Sequence, residues 1–100
     1  MNFLREKQIE HSLVTAARKQ GGLALKFVSP SFAGMPDRLV LLPGGKLACV
    51  EVKAPGKKPR VLQVKRHEKL RELGFRVFVL DALEDIPGLL QTIAEGGDAQ

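Results

Sequence analysis

Hydrophobic residues recur at helical spacing in the first part of the chain and at strand-like spacing after it. Over residues 3–20 they return every three or four positions, so that Ile9 and Leu13 share one face, which predicts an amphipathic helix. Two glycines at positions 21 and 22 end this helix. Residues 23–29 are rich in β-forming side chains, and we expect a strand there, followed by a loop with two prolines.

The middle of the chain carries the pattern of a β-hairpin. Two apolar runs, Arg38–Leu42 and Lys46–Val52, flank a proline and two glycines at positions 43–45. Apolar runs on either side of a glycine-rich turn predict two antiparallel strands.

Three further elements follow the hairpin. Residues 61–73 lie between a proline and a glycine and predict a helix, and residues 75–80 are a dense run of β-formers. Residues 83–93 predict a final helix, which should begin near Asp85 because Pro87 is tolerated only in a first turn. We expect Leu62, Leu70 and Leu73 to face inward from the second helix.

The order α-β-β-β-α-β-α predicts an α/β fold with a small mixed sheet flanked by helices. A helix between the third and fourth strands suggests a parallel crossover. We expect a single domain over residues 1–95 and a frayed tail over residues 96–100. His11 and His67 have no partner at metal-ligand spacing, and we expect both on the surface.

Composition adds an expectation about partners. The chain has 16 Lys and Arg residues against 11 Asp and Glu, a net charge of +5, which favours an anionic partner, nucleic acid before a membrane surface. No apolar run is long enough to cross a membrane, and no signal peptide is visible. The single cysteine, Cys49, reads as a buried thiol, without a disulfide or zinc site. These features fit a soluble cytoplasmic protein.

Acidic and basic residues gather at the open end of the predicted hairpin. Glu51 and Lys53 lie two positions apart on one strand and therefore point the same way. Asp37 precedes the other strand, and its position depends on the turn. A turn centred on Gly44 places Asp37 opposite Glu51, whereas a two-residue turn places it opposite Val52, on the wrong face.

Two carboxylates that converge across a hairpin repel each other unless a cation lies between them. A hard divalent ion such as Mg²⁺ or Mn²⁺ suits oxygen ligands, and a nearby ammonium can stabilise a developing anion. In the alternative interpretation, Glu51 and Lys53 are only the polar side of a half-buried strand.

Other charged residues have two interpretations each. Glu10 lies on or beside the apolar stripe of the first helix, as a site ligand or as a boundary acid paired with a lysine or arginine. Lys26 is an exposed strand lysine or a phosphate contact. The loop cations Lys57, Lys58 and Arg60 either hold a phosphate backbone or form a solvated charge run.

The hairpin resembles the core of the PD-(D/E)xK nuclease superfamily. Pro36-Asp37 matches the PD element, and Glu51-Val52-Lys53 matches the ExK element. Residues 21–81 closely resemble the stand-alone form of the virus-type replication-repair nuclease domain, VRR-NUC. The first helix matches too, with Glu10 at the position of a glutamate that the family carries there, although Glu6 lies one turn earlier.

The resemblance implies a restriction-endonuclease-like core and a Mg²⁺- or Mn²⁺-dependent deoxyribonuclease. Lys53 would be the catalytic lysine, and Gln63 matches a glutamine on the next helix, although a first-turn glutamine is usually exposed. Stand-alone members are expected to be homodimers typical of phage and bacterial genomes, which places the chain in a bacterial cell or a phage-infected host. The implied metal ligands are Glu10, Asp37, Glu51 and the main-chain carbonyl of Val52.

Metal-assisted hydrolysis of DNA is our leading hypothesis, with Lys53 orienting the attacking water. The cations Arg38, Lys57, Lys58 and Arg60, with Lys26 at the edge, would contact the DNA backbone, which favours structure-selective over sequence-specific binding. The family's stand-alone members resemble Holliday-junction resolvases in fold, and this resemblance implies branched or four-way junctions as the substrate. A non-catalytic nucleic-acid-binding module and an assembly protein built on the sheet are the alternatives.

Overall fold

The computed structural model describes the backbone of residues 2–96 and the side chains from residue 5 onward. Its helices are α1 (Asn2–Lys19), α2 (Val61–Glu72) and α3 (Ile86–Ala94), with a single 3₁₀ turn at Leu83–Asp85 before α3. Its strands are β1 (Leu23–Lys26), β2 (Arg38–Leu42), β3 (Lys46–Val52) and β4 (Val77–Leu80). The predicted α/β class and order of elements are confirmed, and α3 begins within one residue of the expected position.

The four strands form one mixed sheet in the spatial order β1-β2-β3-β4. The pairs β1–β2 and β2–β3 are antiparallel, and α2 connects β3 to a parallel β4. Strands β2 and β3 therefore both lie inside the sheet, and β3 is the more buried of the two, with residues 48–52 all buried. A residue at the end of β3 is positioned by two ladders of hydrogen bonds.

Strand β1 is shorter than the sequence predicts. It ends at Lys26 instead of continuing to Ser29, although Phe27 N–H still donates to the carbonyl of Asp37. The register would next place Val28 opposite Pro36, which has no N–H to donate, so the ladder stops there. The chain then leaves the sheet as a loop that leads into Asp37.

The hydrophobic core lies between the sheet and the helices α1 and α3. Alternate strand residues face this layer, and the fully buried ones include Val40 of β2 and Val50 of β3, packed with Leu13 of α1 and Leu90 of α3. Burial of each such side chain contributes about 1.5–3 kcal/mol. Because strand side chains alternate, Cys49 and Glu51 point to the opposite face, where α2 packs.

The predicted inner face of α2 is wrong. Leu62 and Leu73 are exposed, and the buried residues of this helix are Gln63 and His67. His67 was also expected on the surface and is only 2% exposed, whereas His11 is exposed as predicted. Helix α2 turns polar side chains inward because it faces a charged residue of β3.

Two further expectations concern the ends and the surface of the chain. Gly96 closes the last turn by donating to the carbonyl of Ile93, and residues 97–100 of the tail expected to fray lie outside the described part of the chain. Cys49 is buried as expected, and burial raises the pKa of its thiol. Between residues 2 and 96 no helix has the length and hydrophobicity needed to cross a membrane.

Candidate active site

Glu51 lies in the interior of the protein, near the end of the central strand β3. Its side chain is 1% exposed, while the neighbouring Val50 and Val52 face the apolar core on the other side of the sheet. Removing a carboxylate from water costs several kcal/mol unless partners compensate for the lost hydration. Such a residue needs an explanation in terms of its contacts.

The hairpin turn decides where Asp37 stands relative to Glu51. Leu42 pairs with Lys46, so the loop has three residues, and the backbone has positive φ at Gly44 and Gly45, 85° and 73°. Such values favour glycine. The register is centred on Gly44 and, continued by one pair beyond Arg38, places Asp37 opposite Glu51. The alternative two-residue turn is therefore excluded.

Asp37 is held at the edge of this pocket by the backbone of β3. Its Oδ2 accepts a hydrogen bond of 2.8 Å from the N–H of Val52. Burial raises the pKa of the Asp37 carboxyl to about 6, with repulsion from Glu51 adding to the rise and the Val52 N–H opposing it. Asp37 thus lies close enough to Glu51 for the charge of Glu51 to disfavour ionisation of Asp37.

Three side chains surround the Glu51 carboxylate. Gln63 Nε2 donates to Oε2 at 2.9 Å, and Lys53 Nζ lies 3.8 Å from the same oxygen. His67 Nε2 lies 3.2 Å from Oε1. These contacts replace much of the hydration that Glu51 loses on burial. Lys53 is 16% exposed, so its ammonium lies between the buried carboxylate and solvent.

Gln63 links the site to the start of helix α2. Its Oε1 accepts a hydrogen bond of 2.8 Å from the N–H of Arg60, while its amide nitrogen donates to Glu51. The amide is therefore held at both ends, and the side chain is buried rather than exposed. The structure brings Gln63 into contact with Glu51.

His67 is the site residue that sequence reasoning missed. It follows Gln63 by four positions on α2, so both side chains lie on one face of the helix. The sequence signal for His67 is this i, i+4 spacing of two polar side chains on the helix that follows Glu51. Because the leucines of α2 are the residues predicted to face inward, His67 is predicted to lie on the surface.

Glu10 and Arg38 form an ion pair at the rim of the site. Arg38 Nε donates to Glu10 Oε2 at 2.9 Å, and Arg38 Nη1 donates to the carbonyl of Ala24 at 3.1 Å. The Glu10 charge also contributes to the raised pKa of Asp37, which places Glu10 within electrostatic reach of the pocket. Arg38 thus makes internal contacts with its side chain 17% exposed, and its contact with DNA stays a prediction.

The chemistry of the donor set suits a hard divalent cation. Asp37 and Glu51 converge and offer carboxylate oxygens, and the pKa of Asp37 is raised first by burial and then by the negative charge of Glu51, which a cation would offset. Among residues 5–96, no three His, Cys, Asp or Glu side chains converge on one point. The carboxylates available to a divalent cation are therefore those of Asp37 and Glu51, while Glu10 is held by Arg38.

The remaining predicted DNA contacts are exposed. Lys57, Lys58 and Arg60 lie in the loop between Lys53 and Gln63, and Lys26 lies at the end of β1. The loop begins and ends at residues that contact Glu51. Its cations therefore flank the pocket and are free of the tertiary role that Arg38 has.

Replacing Asp37 with asparagine is expected to stabilise the metal-free protein at pH 8 and to leave its stability unchanged at pH 4. The folded-state pKa of about 6 exceeds the ordinary value of 3.8, so the folded protein binds the proton more tightly than the unfolded chain. Stability from this group is present below pH 4 and is lost as the pH rises through 6. We expect the variant to gain about 1–2 kcal/mol at pH 8, after allowance for solvent screening.

Guanidinium unfolding in EDTA at both pH values measures this difference. Asparagine keeps an oxygen that can accept the Val52 N–H, so the hydrogen bond is preserved while the charge is removed. Asp85→Asn is a matched control, since Asp85 is exposed in the 3₁₀ turn before α3 and its side chain makes no cap hydrogen bond. An equal stability difference between wild type and Asp37→Asn at pH 4 and pH 8 would contradict the raised pKa of Asp37.

Comparisons with known proteins agree on one family. No protein-family model matches the chain. A protein of Acyrthosiphon pisum secondary endosymbiont phage 1, named "Putative nuclease p44", is 50% identical over 93 residues, which are 93% of this chain and 99% of that protein. The region of similarity thus includes the whole pocket.

Two solved structures have the same fold. One, named "VRR_NUC domain", superposes with a TM-score of 0.81 at 31% identity and covers 87% of this chain and 95% of that chain. Another, a "VRR_NUC domain protein", has a TM-score of 0.75 at 18% identity, covering 96% and 93%. At 18% identity the second structure supports the assignment of the fold alone.

Proposed function

The chain belongs to the VRR-NUC family of nucleases, and from this premise we propose that it is a metal-dependent DNA endonuclease that cuts branched DNA as a homodimer. The resemblance to this family and its fold, expected from the sequence, is confirmed. Metal dependence, the choice of branched DNA and dimerisation are the steps that the proposal adds. We place its action in a bacterial cell or a phage-infected host.

The burial of Glu51 beside a second carboxylate and a lysine is the observation that carries the proposal. An apolar residue would fill this position in β3 at lower cost, because no desolvation would have to be offset. Glu51 instead has an amide, an imidazole and an ammonium around it. A pocket that keeps charge in the interior at such cost supports a chemical role.

Asp37 and Glu51 would hold the divalent ion, with the main-chain carbonyl of Val52 as a further ligand. When bound, such an ion polarises the scissile phosphate and lowers the pKa of a water molecule. Glu10 would enter the ligand set only by exchanging its ion pair with Arg38. The ion pair would thus leave Asp37 and Glu51 as the principal ligands.

Lys53 is the residue that we propose as the catalytic lysine. Its Nζ stands 3.8 Å from Glu51 Oε2 and reaches toward solvent. A fixed ammonium at the mouth of a buried anionic pocket can orient an attacking water and can neutralise charge that develops on a phosphate oxygen. Gln63, held by Arg60 N–H, would keep Glu51 in place during the reaction.

DNA would be held mainly through its phosphates. Lys57, Lys58 and Arg60 are exposed beside the pocket, and the chain carries a net charge of +5. Phosphate contacts give affinity without sequence information, so recognition would depend on the shape of the DNA. Lys26 can extend this contact, whereas Arg38 contributes less because it is engaged with Glu10.

A second copy of the chain is the partner that we propose for the open face of the sheet. Leu23, Leu25 and Leu47 are exposed on the face opposite α1 and α3, and the register aligns Leu23 and Leu47 on either side of β2. Two adjacent active sites would suit paired cuts in a junction. Uncovered leucines on a sheet favour association.

Sedimentation velocity is expected to show a dimer for the wild-type chain and a monomer for Leu25→Asp. A charge on the sheet face would disrupt the contact because it could not be hydrated there. Val61→Asp is the control, since Val61 is exposed on α2 and outside this face. A wild-type monomer, or a Leu25→Asp dimer, would contradict the assignment.

One cleavage assay tests the proposed activity. A fixed four-way junction and a linear duplex with the same arm sequences are incubated with Mg²⁺, Mn²⁺ or EDTA and resolved on a denaturing gel. We expect new strands from the junction with either metal and none with EDTA. Cleavage in EDTA would contradict metal dependence, and equal cleavage of the duplex would contradict branch selectivity. Salt-sensitive binding without cleavage would favour a non-catalytic module.

A further inference from the structure

His67 is a buried histidine whose only described polar contact is the carboxylate of the active site. It is 2% exposed, and its Nε2 lies 3.2 Å from Glu51 Oε1. Burying an imidazole removes a polar ring from water, and a leucine or phenylalanine would fill an interior position at lower cost. The contact with Glu51 is therefore the place to look for its role.

The contact determines which ring nitrogen carries hydrogen. An ionised carboxylate only accepts hydrogen bonds, so His67 Nε2 must carry the hydrogen that points to Glu51 Oε1. Gln63 Nε2 donates to the other oxygen, Oε2. Two donors spaced four residues apart on one helix thus engage the two oxygens separately, which prevents the carboxylate from rotating about its last bond.

Such a restraint matters because Asp37 repels Glu51. Each carboxylate oxygen accepts more than one hydrogen bond or ligand, so the donors on α2 leave lone pairs of Glu51 available to a cation. Without a donor on Oε1, the Glu51 carboxylate could turn away from Asp37 and relieve their repulsion. The two acids would then no longer present oxygen atoms to the same point.

The geometry points to His67 as a positioning residue that, through its Nε2–H, holds Glu51 in the orientation that binds the divalent ion. This inference rests on the proposed metal-dependent function and extends it to a residue behind the ligand. Partners that lie behind metal ligands set the orientation and basicity of those ligands. His67 does not itself touch the metal or the DNA.

Replacing His67 with leucine is expected to weaken Mn²⁺ binding to the folded protein by about 10–100-fold, as loss of a supporting partner does in other metal sites. Calorimetric titration of Mn²⁺ into wild type and variant measures this change without DNA or turnover. Leu70→Ala is the matched control, because Leu70 is partly buried on the same helix and its side chain has no polar atom that could hydrogen-bond to Glu51. It should lower thermal stability and leave Mn²⁺ affinity unchanged.

A pair of polar substitutions keeps the test decisive where leucine prevents folding. The glutamine of His67→Gln can place an amide N–H near the position of the imidazole Nε2, whereas the shorter side chain of His67→Asn cannot. We therefore expect His67→Gln to bind Mn²⁺ within about threefold of wild type and His67→Asn to bind about 10–100-fold more weakly. If His67 only filled space, the glutamine and asparagine variants would bind Mn²⁺ with equal affinity.

The tautomer gives a readout on the metal-free protein. Nitrogen-15 spectra of the imidazole should show His67 protonated at Nε2, with a hydrogen that exchanges slowly with water. Wild-type Mn²⁺ affinity in folded His67→Leu, equal affinities of the glutamine and asparagine variants, or an unprotonated Nε2 would each overturn the role of His67. A wild-type chain that binds neither Mn²⁺ nor Mg²⁺ would overturn the proposed function as well.

Discussion

Replacing Glu51 with glutamine is expected to lower the rate of DNA cleavage by at least about a thousandfold, because it removes a charged ligand from the ion that polarises the phosphate. The substitution keeps the length and volume of a side chain that is 1% exposed. It also removes the repulsion with Asp37, so the metal-free fold should be preserved. Single-turnover cleavage of a labelled junction in Mn²⁺ measures the rate, and unfolding in EDTA measures the fold.

Glu68→Gln provides the matched control for this experiment. Glu68 is exposed on α2, close in sequence to His67, and the substitution makes the same chemical change outside the pocket. Its cleavage rate should stay within about twofold of wild type, since surface substitutions rarely alter a distant site. A Glu51→Gln variant that cuts at the wild-type rate while it is folded would remove Glu51 from the mechanism.

Replacing Lys53 with methionine is expected to slow cleavage by about 10²–10³-fold without weakening metal binding. Methionine keeps much of the apolar stem and removes the ammonium that lies 3.8 Å from Glu51 Oε2. That positive charge competes with a divalent ion for the carboxylate, so its loss should leave Mn²⁺ affinity equal or higher. Single-turnover cleavage and calorimetric titration of the same preparation separate the two effects.

A control on the basic loop distinguishes this lysine from those that only attract DNA. Lys57→Met removes an exposed ammonium from the loop that follows Lys53. It should weaken DNA binding in a salt-dependent way and leave the rate at saturating protein nearly unchanged. If Lys53→Met shows this same pattern instead of a slower chemical step, Lys53 is a DNA contact and not a catalytic residue.

Much of the framework could be predicted from local patterns. The bounds of the hairpin strands, Arg38–Leu42 and Lys46–Val52, agree with the structure residue for residue. These bounds could be predicted because alternating apolar runs next to a glycine-rich turn have few other stable conformations. Helix α1 was likewise marked by its periodicity and by the glycines that end it.

The polar partners of Glu51 were harder to predict. Leucines were placed on the inner face of α2, whereas the structure buries Gln63 and His67 there. Hydrophobicity predicts burial when the facing surface is apolar, but this helix faces a carboxylate of another strand. The energetic preference thus depends on a residue distant in sequence, so the i, i+4 spacing of Gln63 and His67 indicates the buried face only once Glu51 is placed opposite it.

The ion pair between Glu10 and Arg38 at the rim of the site was difficult to predict for a similar reason. Glu10 has two interpretations from the sequence, a site ligand or a boundary acid paired with a lysine or arginine, and Arg38 is predicted to contact DNA. The structure pairs the two side chains at 2.9 Å, and the roles in metal and DNA binding stay predictions. They are separated by 28 positions and meet because α1 packs across the sheet beside β2. Charge and spacing identified both residues, while helix packing determined which opposite charge each one meets.

The sequence by itself determined the elements, their order, the acids and lysine of the pocket, and the nuclease family to which they belong. These depend on periodicity, turn chemistry and short motifs, which act over a few neighbouring residues. Only the tertiary structure decided between two registers of the hairpin, turned His67 inward and joined Glu10 to Arg38. Those outcomes depend on which long-range contacts offset the cost of burying charge, and that balance exists only once the sheet and helices have assembled.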